Sequence, residues 1–299
     1  MPRIHRLPDD LINQIAAGEV VERPASVVKE LVENAIDAGA TSIRVAISES
    51  GRSEICVTDN GCGMGREDAL LCLERHATSK LENADGLFHI VTKGFRGEAM
   101  PSIASVSRMK IVTSERGADS GTQIQIDGGV VAQVAPSAPI DGTQIQVSDL
   151  FFNVPARRKF LKRDSTELIH CEEAVNRLAL AHPEVAFQLT HGSRVLVNAA
   201  AAVDEHRERI AAVLGSEAAP YLISLDERQL GMTVSGFIAT PEFTLSTARG
   251  LYTFVNRRYI RDRGLNGAIS RALQDYLPAG RQPAAAIFIE VDPSSVDVN

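Results

Sequence analysis

Three polar residues, Glu30, Asn34 and Asp37, recur at helical spacing within an otherwise apolar stretch of the chain. Because they occupy positions i, i+4 and i+7, they share one face of a helix. A carboxylate can orient or deprotonate a water molecule, and an amide oxygen one turn away can bind a hard cation such as Mg²⁺. The stretch could therefore place a catalytic base beside a metal ligand. A solvated helix face is the alternative interpretation.

A glycine-rich turn follows this stretch. It has the sequence Asp59-Asn60-Gly61-Cys62-Gly63-Met64. Glycines let the backbone pass close to a ligand, and a carboxylate at the end of a strand can accept a hydrogen bond from an amine such as N6 of adenine. The third glycine of a dinucleotide fingerprint is missing, and the chain contains no P-loop motif. The alternatives are an ordinary turn and a nucleotide site that is not of the P-loop type.

A second glycine-containing segment could bind phosphate groups through backbone N–H groups and a helix N-terminus. It has the sequence Gly94-Phe95-Arg96-Gly97-Glu98. It lies in a weakly patterned stretch at residues 76–101, and such a stretch within a compact domain is typically a lid or a binding loop. A solvated loop is the alternative. Gly142-Thr143, at a predicted strand start, is a plain turn unless the rest of the site exists.

Length, composition and charge limit the classes of protein to which the chain can belong. The 299 residues suffice for two domains, and no apolar run is long enough for a membrane span. The four cysteines show no Cys-x-x-Cys pair and no matching histidine spacing, so we expect no zinc site and a reducing cytoplasm. The net charge of −7 argues against a globally basic surface for nucleic acid but leaves local basic patches open.

The apolar pattern predicts the elements that must hold these residues. Helical spacing predicts helices at residues 9–17, 24–37, 67–75, 167–182, 208–214 and 265–277. Alternation predicts strands at residues 42–48, 55–59, 109–114, 122–126, 130–134, 143–147, 185–189, 195–198, 221–225, 232–239, 251–256 and 285–291. Gly18 and Gly39 are expected to end the first two helices. Helices packed on one face of antiparallel strands give an α+β class in both halves.

Two basic clusters stand out against the acidic total. They consist of Arg157, Arg158, Lys159, Lys162 and Arg163, and of Arg257, Arg258, Arg261 and Arg263. A solvated surface is the usual fate of such runs. The alternative is a sequence-independent, salt-sensitive contact with a nucleic-acid backbone.

The order and combination of these features resemble known families. Glu30-x-x-x-Asn34, the turn at 59–63, the segment at 94–98 and Gly142-Thr143 resemble the ATP-binding fold shared by gyrase B and the sensor histidine kinases. Five longer motifs resemble those of the MutL family of DNA mismatch repair proteins, and this resemblance covers residues 4–299. They are NQIAAGEVVERP at 13–24, DNGCG at 59–63, HATSK at 76–80, GFRGEA at 94–99 and NVPARRKFL at 153–161.

The resemblance implies a role for each matching residue. Glu30 would be the general base that activates the attacking water, Asn34 would hold Mg²⁺, and Asp59 would bind N6 of adenine. The cofactors would therefore be ATP and Mg²⁺. The other residues implied at the nucleotide are Ala38, Gly61, Gly63, Met64, Thr78, Ser79, Lys80, Gly94, Phe95, Arg96, Gly97 and Thr143.

The resemblance also implies a fold and a division into domains. Residues 1–203 would form an α+β domain of the Bergerat type, with helices on one face of a mixed, mostly antiparallel sheet. A lid would lie at about residues 76–101. Residues 204–299 would form a smaller α/β domain of the ribosomal-protein-S5-like type, truncated at its C-terminal end.

Partners and location follow from the same resemblance. ATP would order the lid and pair two protomers into a homodimer. The chain would bind DNA without sequence preference and recruit the mismatch-recognition protein MutS and a downstream helicase or nicking enzyme. It would lie in the bacterial cytoplasm, at the nucleoid and not in a membrane. The implied DNA contacts are Arg157, Arg158, Lys159, Arg261 and Arg263.

Two features depart from the family pattern. Met100-Pro101 replaces a more helix-friendly pair just after the lid. Family members also continue past the position of Asn299 to a lysine that reaches the γ-phosphate, so we expect low turnover without that lysine. The alternative function is accordingly a nucleotide-gated DNA-binding clamp with little hydrolysis of its own. A histidine kinase is disfavoured because no phosphoacceptor-helix signature precedes the site.

Overall fold

The structure, a computed structural model, describes residues 9–77, 97–202, 206–229 and 231–292. They form two compact units. The first comprises the residues up to 175 together with 187–198, and the second comprises 176–186 together with the residues from 199 onward. The domain boundary after residue 203 stays a prediction.

An eight-stranded sheet forms the frame of the first unit. Its strands are β1 (Ser42–Ser48), β2 (Glu54–Asp59), β3 (Arg108–Thr113), β4 (Gly121–Asp127), β5 (Val130–Ser137), β6 (Thr143–Ser148), β7 (Ala186–His191) and β8 (Arg194–Ala199). Their spatial order is β5-β4-β3-β6-β2-β1-β7-β8. The pairs from β5 to β1 are antiparallel, and three of them, β1–β2, β3–β4 and β4–β5, join consecutive strands through short connections.

Helices accompany this sheet. They are α1 (Asp9–Val20), α2 (Pro24–Asp37), α3 (Arg66–Leu71), α4 (Ala99–Ser105), α5 (Pro155–Phe160) and α6 (Asp164–Ala181). Proline at the first position of α2 and Gly39 at φ +72° after its end match the predicted boundaries. Among the residues that the structure describes, no helix is both long enough and apolar enough to cross a membrane.

Several helices differ from the prediction. Gly18 does not end α1, which continues to Val20. A Cβ atom there would lie 2.0 Å from Nη2 of Arg157, so this glycine lets the end of the Arg157 side chain lie against α1. The helix expected at 67–75 is shorter and ends at Leu71. The helix expected just after the lid is α4, and Pro101 lies in its first turn, whereas α5 had no predicted counterpart.

The core of the first unit forms where α2 meets the sheet. Val27, Val28, Leu31 and Val32 of α2 are buried, with at most 1% of each exposed. Alternate residues of β1 are buried in the same way, so the sheet presents one apolar face. The prediction of an α+β fold with helices on one face of a mostly antiparallel sheet is confirmed.

The second unit is smaller and is built on a five-stranded sheet in the order β13-β12-β15-β10-β9. Strands β12 and β15 pair in parallel, and the other described pairs of this sheet are antiparallel. This mixed sheet with α7 and α8 confirms the predicted smaller α/β domain. Its elements are α7 (His206–Leu214), β9 (Leu222–Gln229), β10 (Met232–Ala239), β11 (Thr244–Leu245), β12 (Leu251–Val255), β13 (Arg258–Ile260), α8 (Arg263–Leu273), β14 (Gln282–Pro283) and β15 (Ala285–Glu290).

A buried arginine ties the segments of the second unit together. Arg209 of α7 is 2% exposed. Its guanidinium donates to the carbonyl oxygens of Ala179, Pro183, Val185 and Ala200 at 2.6–3.0 Å. Burial lowers the pKa of Arg209 to about 10, so the group stays charged at neutral pH. One buried side chain thereby donates to four carbonyl oxygens of the second unit.

Candidate functional site

The buried face of the first unit's sheet changes from apolar to polar at one end. Strand pairing across β1, β2, β6, β3 and β4 aligns three rows of side chains on this face. Two rows are entirely apolar: Ile47, Ile55, Val147, Met109 and Ile126, and then Val45, Val57, Ile145, Ile111 and Ile124. The third row, at the end where β2 stops and β6 starts, is Ile43, Asp59, Thr143, Thr113 and Thr122. A carboxylate and three hydroxyls at the end of an apolar face are suited to binding a polar ligand.

Asp59 is the charged member of this polar row, and 8% of it is exposed. Its Oδ1 accepts a hydrogen bond from the backbone N–H of Gly61 at 2.8 Å. Burial raises the pKa of Asp59, while hydrogen bonds from the backbone of Gly61 and Thr143 oppose that shift. A carboxylate has about four lone-pair sites, so two backbone donors leave capacity for a donor on a ligand.

The glycines of the turn allow protein backbone to pack closely around Asp59. A Cβ atom on Gly63, which has φ +67°, would lie 1.7 Å from the carbonyl oxygen of Ser114. A Cβ atom on Gly142, at φ +75°, would lie 2.4 Å from the carbonyl oxygen of Asp59. At Gly61 it would lie 2.9 Å from Cβ of Ala38. Because they have no side chain, these glycines allow the turn to pack directly against its neighbours, in addition to any access they give a ligand.

Glu30 and Asn34 lie on α2 as predicted, one helical turn apart. The Glu30 side chain is 22% exposed, and its Oε1 lies 2.8 Å from Nζ of Lys29. Lys29 also pairs with the buried Glu33 at 3.0 Å. Burial tends to lower the pKa of Lys29, but the charges of Glu33 and Glu30 outweigh it and raise the value. The positively charged Lys29 therefore lies beside Glu30, the candidate general base, on the same helix.

Ala38 connects the helix that carries Asn34 to the turn that carries Asp59. Its N–H donates to the carbonyl oxygen of Asn34 at 2.9 Å, and its own carbonyl oxygen accepts from the N–H of Cys62 at 2.9 Å. Asn34, the candidate metal ligand, and the turn of Asp59, the candidate for binding a nucleotide base, are thus joined by two consecutive backbone hydrogen bonds. Their separation is fixed by the backbone and does not depend on mobile side chains.

Thr113 is a residue of this site that the sequence did not reveal. It is completely buried, and its hydroxyl lies 2.9 Å from the hydroxyl of Thr143. The N–H of Met64 donates to the same hydroxyl at 2.9 Å. The available signal was the alternation Met109, Ile111, Thr113, in which a polar residue takes an apolar position.

The two ends of the predicted lid meet at the first unit. A Cβ atom on Gly97, at φ +62°, would lie 2.4 Å from the carbonyl oxygen of Ala77. Oε1 of Glu98 lies 3.3 Å from Nη2 of Arg75 and 3.7 Å from Nδ1 of His76. The remaining predicted nucleotide contacts lie outside the described residues: Thr78, Ser79, Lys80, Gly94, Phe95 and Arg96.

Asn34 fits a magnesium ion that is carried by a nucleotide better than a metal site built by the protein alone. In the part of the chain that the structure describes, no group of three or more histidine, cysteine, aspartate or glutamate residues could hold a metal. Mg²⁺ commonly takes one or two protein oxygens and completes its shell with phosphate oxygens and water. A single amide oxygen from Asn34 matches that pattern.

The basic residues differ in their exposure. Arg158 and Lys159 are exposed on α5, whereas Arg157 is half-buried against the backbone of α1 at Gly18. In the second unit, Arg261 and Arg263 line a cleft of about 680 Å³ at the start of α8. An anion in solution can therefore reach Arg158, Lys159, Arg261 and Arg263. The Arg157 side chain instead packs against α1.

Two family models match the chain. Residues 22–152 match "Histidine kinase-, DNA gyrase B-, and HSP90-like ATPase", and residues 210–299 match "DNA mismatch repair protein, C-terminal domain".

Curated relatives match along the whole chain. The DNA mismatch repair protein MutL of Myxococcus xanthus is 61% identical over 299 residues, which are all of this chain and 48% of that protein. Its namesake from Anaeromyxobacter sp. strain K is 54% identical over all of this chain and 49% of that protein. That of Geobacillus thermodenitrificans is 50% identical over all of this chain and 46% of that protein. The chain spans about half the length of the curated relatives it matches.

Solved structures share the fold. The Aquifex aeolicus MutL ATPase domain complexed with ADP is 29% identical, with a TM-score of 0.70 over 92% of this chain and 94% of that chain. The N-terminal domain of a DNA repair protein is 22% identical, with a TM-score of 0.81 over 96% of this chain and 89% of that chain, and this second likeness concerns the fold alone.

The geometry at Gly63 predicts a large cost for Gly63→Ala. The left-handed conformation and the close Ser114 carbonyl together should lower the free energy of unfolding by about 3 kcal/mol or more. Gly117→Ala is the matched control, because Gly117 has φ +82° but no atom within 4 Å of an added Cβ. The control should cost about 1 kcal/mol. Denaturant unfolding measures both, and equal losses would show that the Ser114 contact does not constrain the turn.

Proposed function

Since the chain belongs to the MutL family of DNA mismatch repair proteins, we propose that its first unit binds and hydrolyses ATP. The observation that carries this proposal is the buried carboxylate of Asp59, which lies in the polar row at the end of the apolar sheet face and retains acceptor capacity. Two backbone hydrogen bonds through Ala38 join it to the helix of Glu30 and Asn34. Asp59, which binds the nucleotide base, and Glu30, which activates water, are thus held by one rigid set of elements.

Asp59 binds the adenine base in this proposal. The ionised carboxylate is an acceptor only, so it accepts from the N6 amine of adenine and is repelled by the O6 carbonyl of guanine. Gly61 and Thr143 hold the carboxylate in place through their backbone N–H groups. Gly63 and Met64 form the wall of the turn around it, and Thr143 presents its hydroxyl beside it in the polar row.

Glu30 and Asn34 serve the phosphate end. Glu30 orients the attacking water and takes its proton, and Asn34 offers its amide oxygen to Mg²⁺. When bound, the ion offsets the negative charge that develops on the phosphate oxygens during transfer. Lys29 places a positive charge 2.8 Å from the Glu30 carboxylate.

The lid and the wider repair role belong to the same proposal. Thr78 to Lys80 and Gly94 to Gly97 wrap the phosphates when ATP binds, and the ordered surfaces pair two protomers. The whole protein then binds DNA and recruits a mismatch-recognition protein and a downstream helicase or nicking enzyme. The family resemblance supports these points, together with the meeting of Ala77 and Gly97 at the base of the lid. We also propose residue 203 as the end of the ATP-binding domain.

Asp59→Asn should separate nucleotide binding from stability. The amide oxygen can still accept from Gly61, but the amide nitrogen faces the adenine amine as a second donor. We expect ATP affinity to fall about 100-fold. Isothermal titration measures the affinity, and Asp119→Asn, at an exposed position, is the control. An Asp59→Asn protein that binds ATP like the wild type would refute the adenine assignment.

The same substitution has a predicted pH signature in unfolding. Because burial raises the pKa of Asp59 in the folded state, the folded protein holds this proton more tightly than the unfolded chain. That contribution to stability is present at low pH and is lost as the pH rises from the ordinary aspartate pKa through the raised value. Asp59→Asn should therefore gain stability relative to the wild type across this window and keep the gain at neutral pH.

Glu30→Gln tests the hydrolytic assignment. Removal of the general base should lower turnover by a factor of about 10² to 10⁴ while ATP affinity stays within about threefold. Phosphate release and equilibrium binding measure the two quantities. Glu33→Gln is the control, because Glu33 contacts the same lysine from the next turn of the helix. Loss of binding together with turnover, or an equal loss of turnover in Glu33→Gln, would contradict the assignment.

DNA binding by the exposed arginines and lysine has its own test. Replacing Arg158 and Lys159 by alanine should weaken binding to duplex DNA and reduce the slope of log affinity against log salt by about 0.9 per lost phosphate contact. Arg157→Ala should leave that slope unchanged, because its guanidinium lies against α1. Fluorescence anisotropy over a salt series distinguishes the two. A slope that changes only in Arg157→Ala would reverse this distinction.

A further inference from the structure

The hydroxyl of Thr113 lies where β3, the glycine turn and the start of β6 meet. This is the end of the site that is proposed to bind the nucleotide base. The hydroxyl accepts from the N–H of Met64 at 2.9 Å. It lies 2.9 Å from the hydroxyl of Thr143 and 3.3 Å from the carbonyl oxygen of Gly142. Thr113 is 0% exposed, so these protein groups are its partners. One buried side chain thus contacts the glycine turn, the start of β6 and the residue before it.

Counting protons limits how this network can be arranged. A hydroxyl has one proton and two lone pairs, and Met64 already occupies one lone pair of Thr113. If Thr113 donates to Gly142, then Thr143 must donate to Thr113 and has no proton left for a ligand. If Thr113 donates to Thr143, the proton of Thr143 is free to point away from Thr113.

The distances favour the second arrangement. Hydroxyl–oxygen bonds are usually 2.5–3.0 Å long, which fits the contact with Thr143 and not the 3.3 Å contact with Gly142. The Gly142 carbonyl oxygen also accepts from the N–H of Ser114 at 3.3 Å, so it keeps a donor when Thr113 turns away. Donation from Thr113 to Thr143 therefore leaves the Gly142 carbonyl oxygen with a donor and leaves the Thr143 proton for a ligand.

The polar row then carries an acceptor next to a donor. Asp59 and Thr143 are directly paired residues of β2 and β6. Asp59 accepts, and a Thr143 that receives the proton of Thr113 donates. Adenine presents a donor at N6 and an acceptor at N1, which complements this order. Guanine presents the reverse order, an acceptor at O6 and a donor at N1.

We propose that Thr113 is a positioning residue that sets Thr143 as a hydrogen-bond donor toward the nucleotide base and thereby favours adenine over guanine. This inference rests on the proposed ATP binding. It assigns to a residue that does not itself touch the base a share of the base selectivity. Its contact with Met64 also holds the glycine turn at the distance that the base requires.

Three variants test the inference. Thr113→Val removes the hydroxyl at nearly constant volume and should weaken ATP binding about tenfold while GTP binding is unchanged, so the preference for ATP falls about tenfold. Thr113→Ser keeps the hydroxyl and should keep the preference within about twofold. Thr253→Val is the control, since Thr253 is also a buried threonine but lies on β12 of the second unit, outside the polar row, and its loss should leave both affinities unchanged.

Further readouts separate positioning from a merely structural role. Because Thr113 serves the base end, Thr113→Val should raise KM for ATP and leave kcat at saturating ATP within about twofold. A structural role would lower ATP and GTP affinity by the same factor. Wild-type protein gives an independent measurement that needs no variant to fold: 1-deaza-ATP, which lacks the N1 acceptor, should bind about tenfold more weakly than ATP.

The outcomes distinguish this inference from the proposed function. Wild-type protein that fails to bind ATP overturns both. Wild-type protein that binds ATP, with an unchanged preference in Thr113→Val, overturns the role of Thr113 alone. Equal binding of ATP and 1-deaza-ATP does the same, and so does a Thr113→Ser variant that behaves like Thr113→Val.

Discussion

The register of five antiparallel strands is the constraint on which the candidate site depends. Side chains alternate across a strand, so a slip of one residue between β2 and β6 would turn Asp59 and Thr143 to opposite faces. Two rows of buried valine, isoleucine and methionine side chains oppose such a slip, because it would expose an entire apolar row. Packing in the interior of the sheet therefore fixes the position of the polar row at its end.

The polar row has a cost that its surroundings limit. Desolvation of Asp59 disfavours the ionised carboxylate, and the hydrogen bonds from Gly61 and Thr143 return part of what burial removes. The glycines at 61, 63 and 142 are needed because the donors can approach only if the turn packs directly on Ala38 and Ser114. The same residues thus serve the stability of the turn and the chemistry of Asp59. A substitution in this turn affects both its stability and the chemistry of Asp59, unless it keeps the shape of the Asp59 side chain and changes only its charge.

Sequence patterns predicted the local parts of this arrangement and missed those that depend on distant contacts. The period of α2 placed Glu30 and Asn34 on one face, and the alternation of β2 placed Asp59 at a strand end. Alternation also puts Thr113 on the buried face, but it cannot show that β3 pairs with β6 so that Thr113 meets Thr143 thirty residues later. Gly18 was taken for a helix end for the same reason, since the Arg157 side chain that lies against it belongs to another helix. Short helices such as α4 contain too few residues for a period to emerge.

The connection through Ala38 bears on why base recognition should matter for hydrolysis. A nucleotide base bound at Asp59 is held by the glycine turn. The Cys62 N–H of this turn donates to the carbonyl oxygen of Ala38, the residue that follows α2. Asn34 lies one turn back along the same backbone, and Glu30 lies one further turn back. Helical backbone is stiff compared with side chains, so the glycine turn lies at a set distance from both residues. A small misplacement of reacting groups can cost about 100-fold in rate. Under the proposed assignment of Asp59 to the nucleotide base, one backbone path therefore sets both the place where the base binds and the place where water attacks, although none of the contacts to the base touches the phosphate.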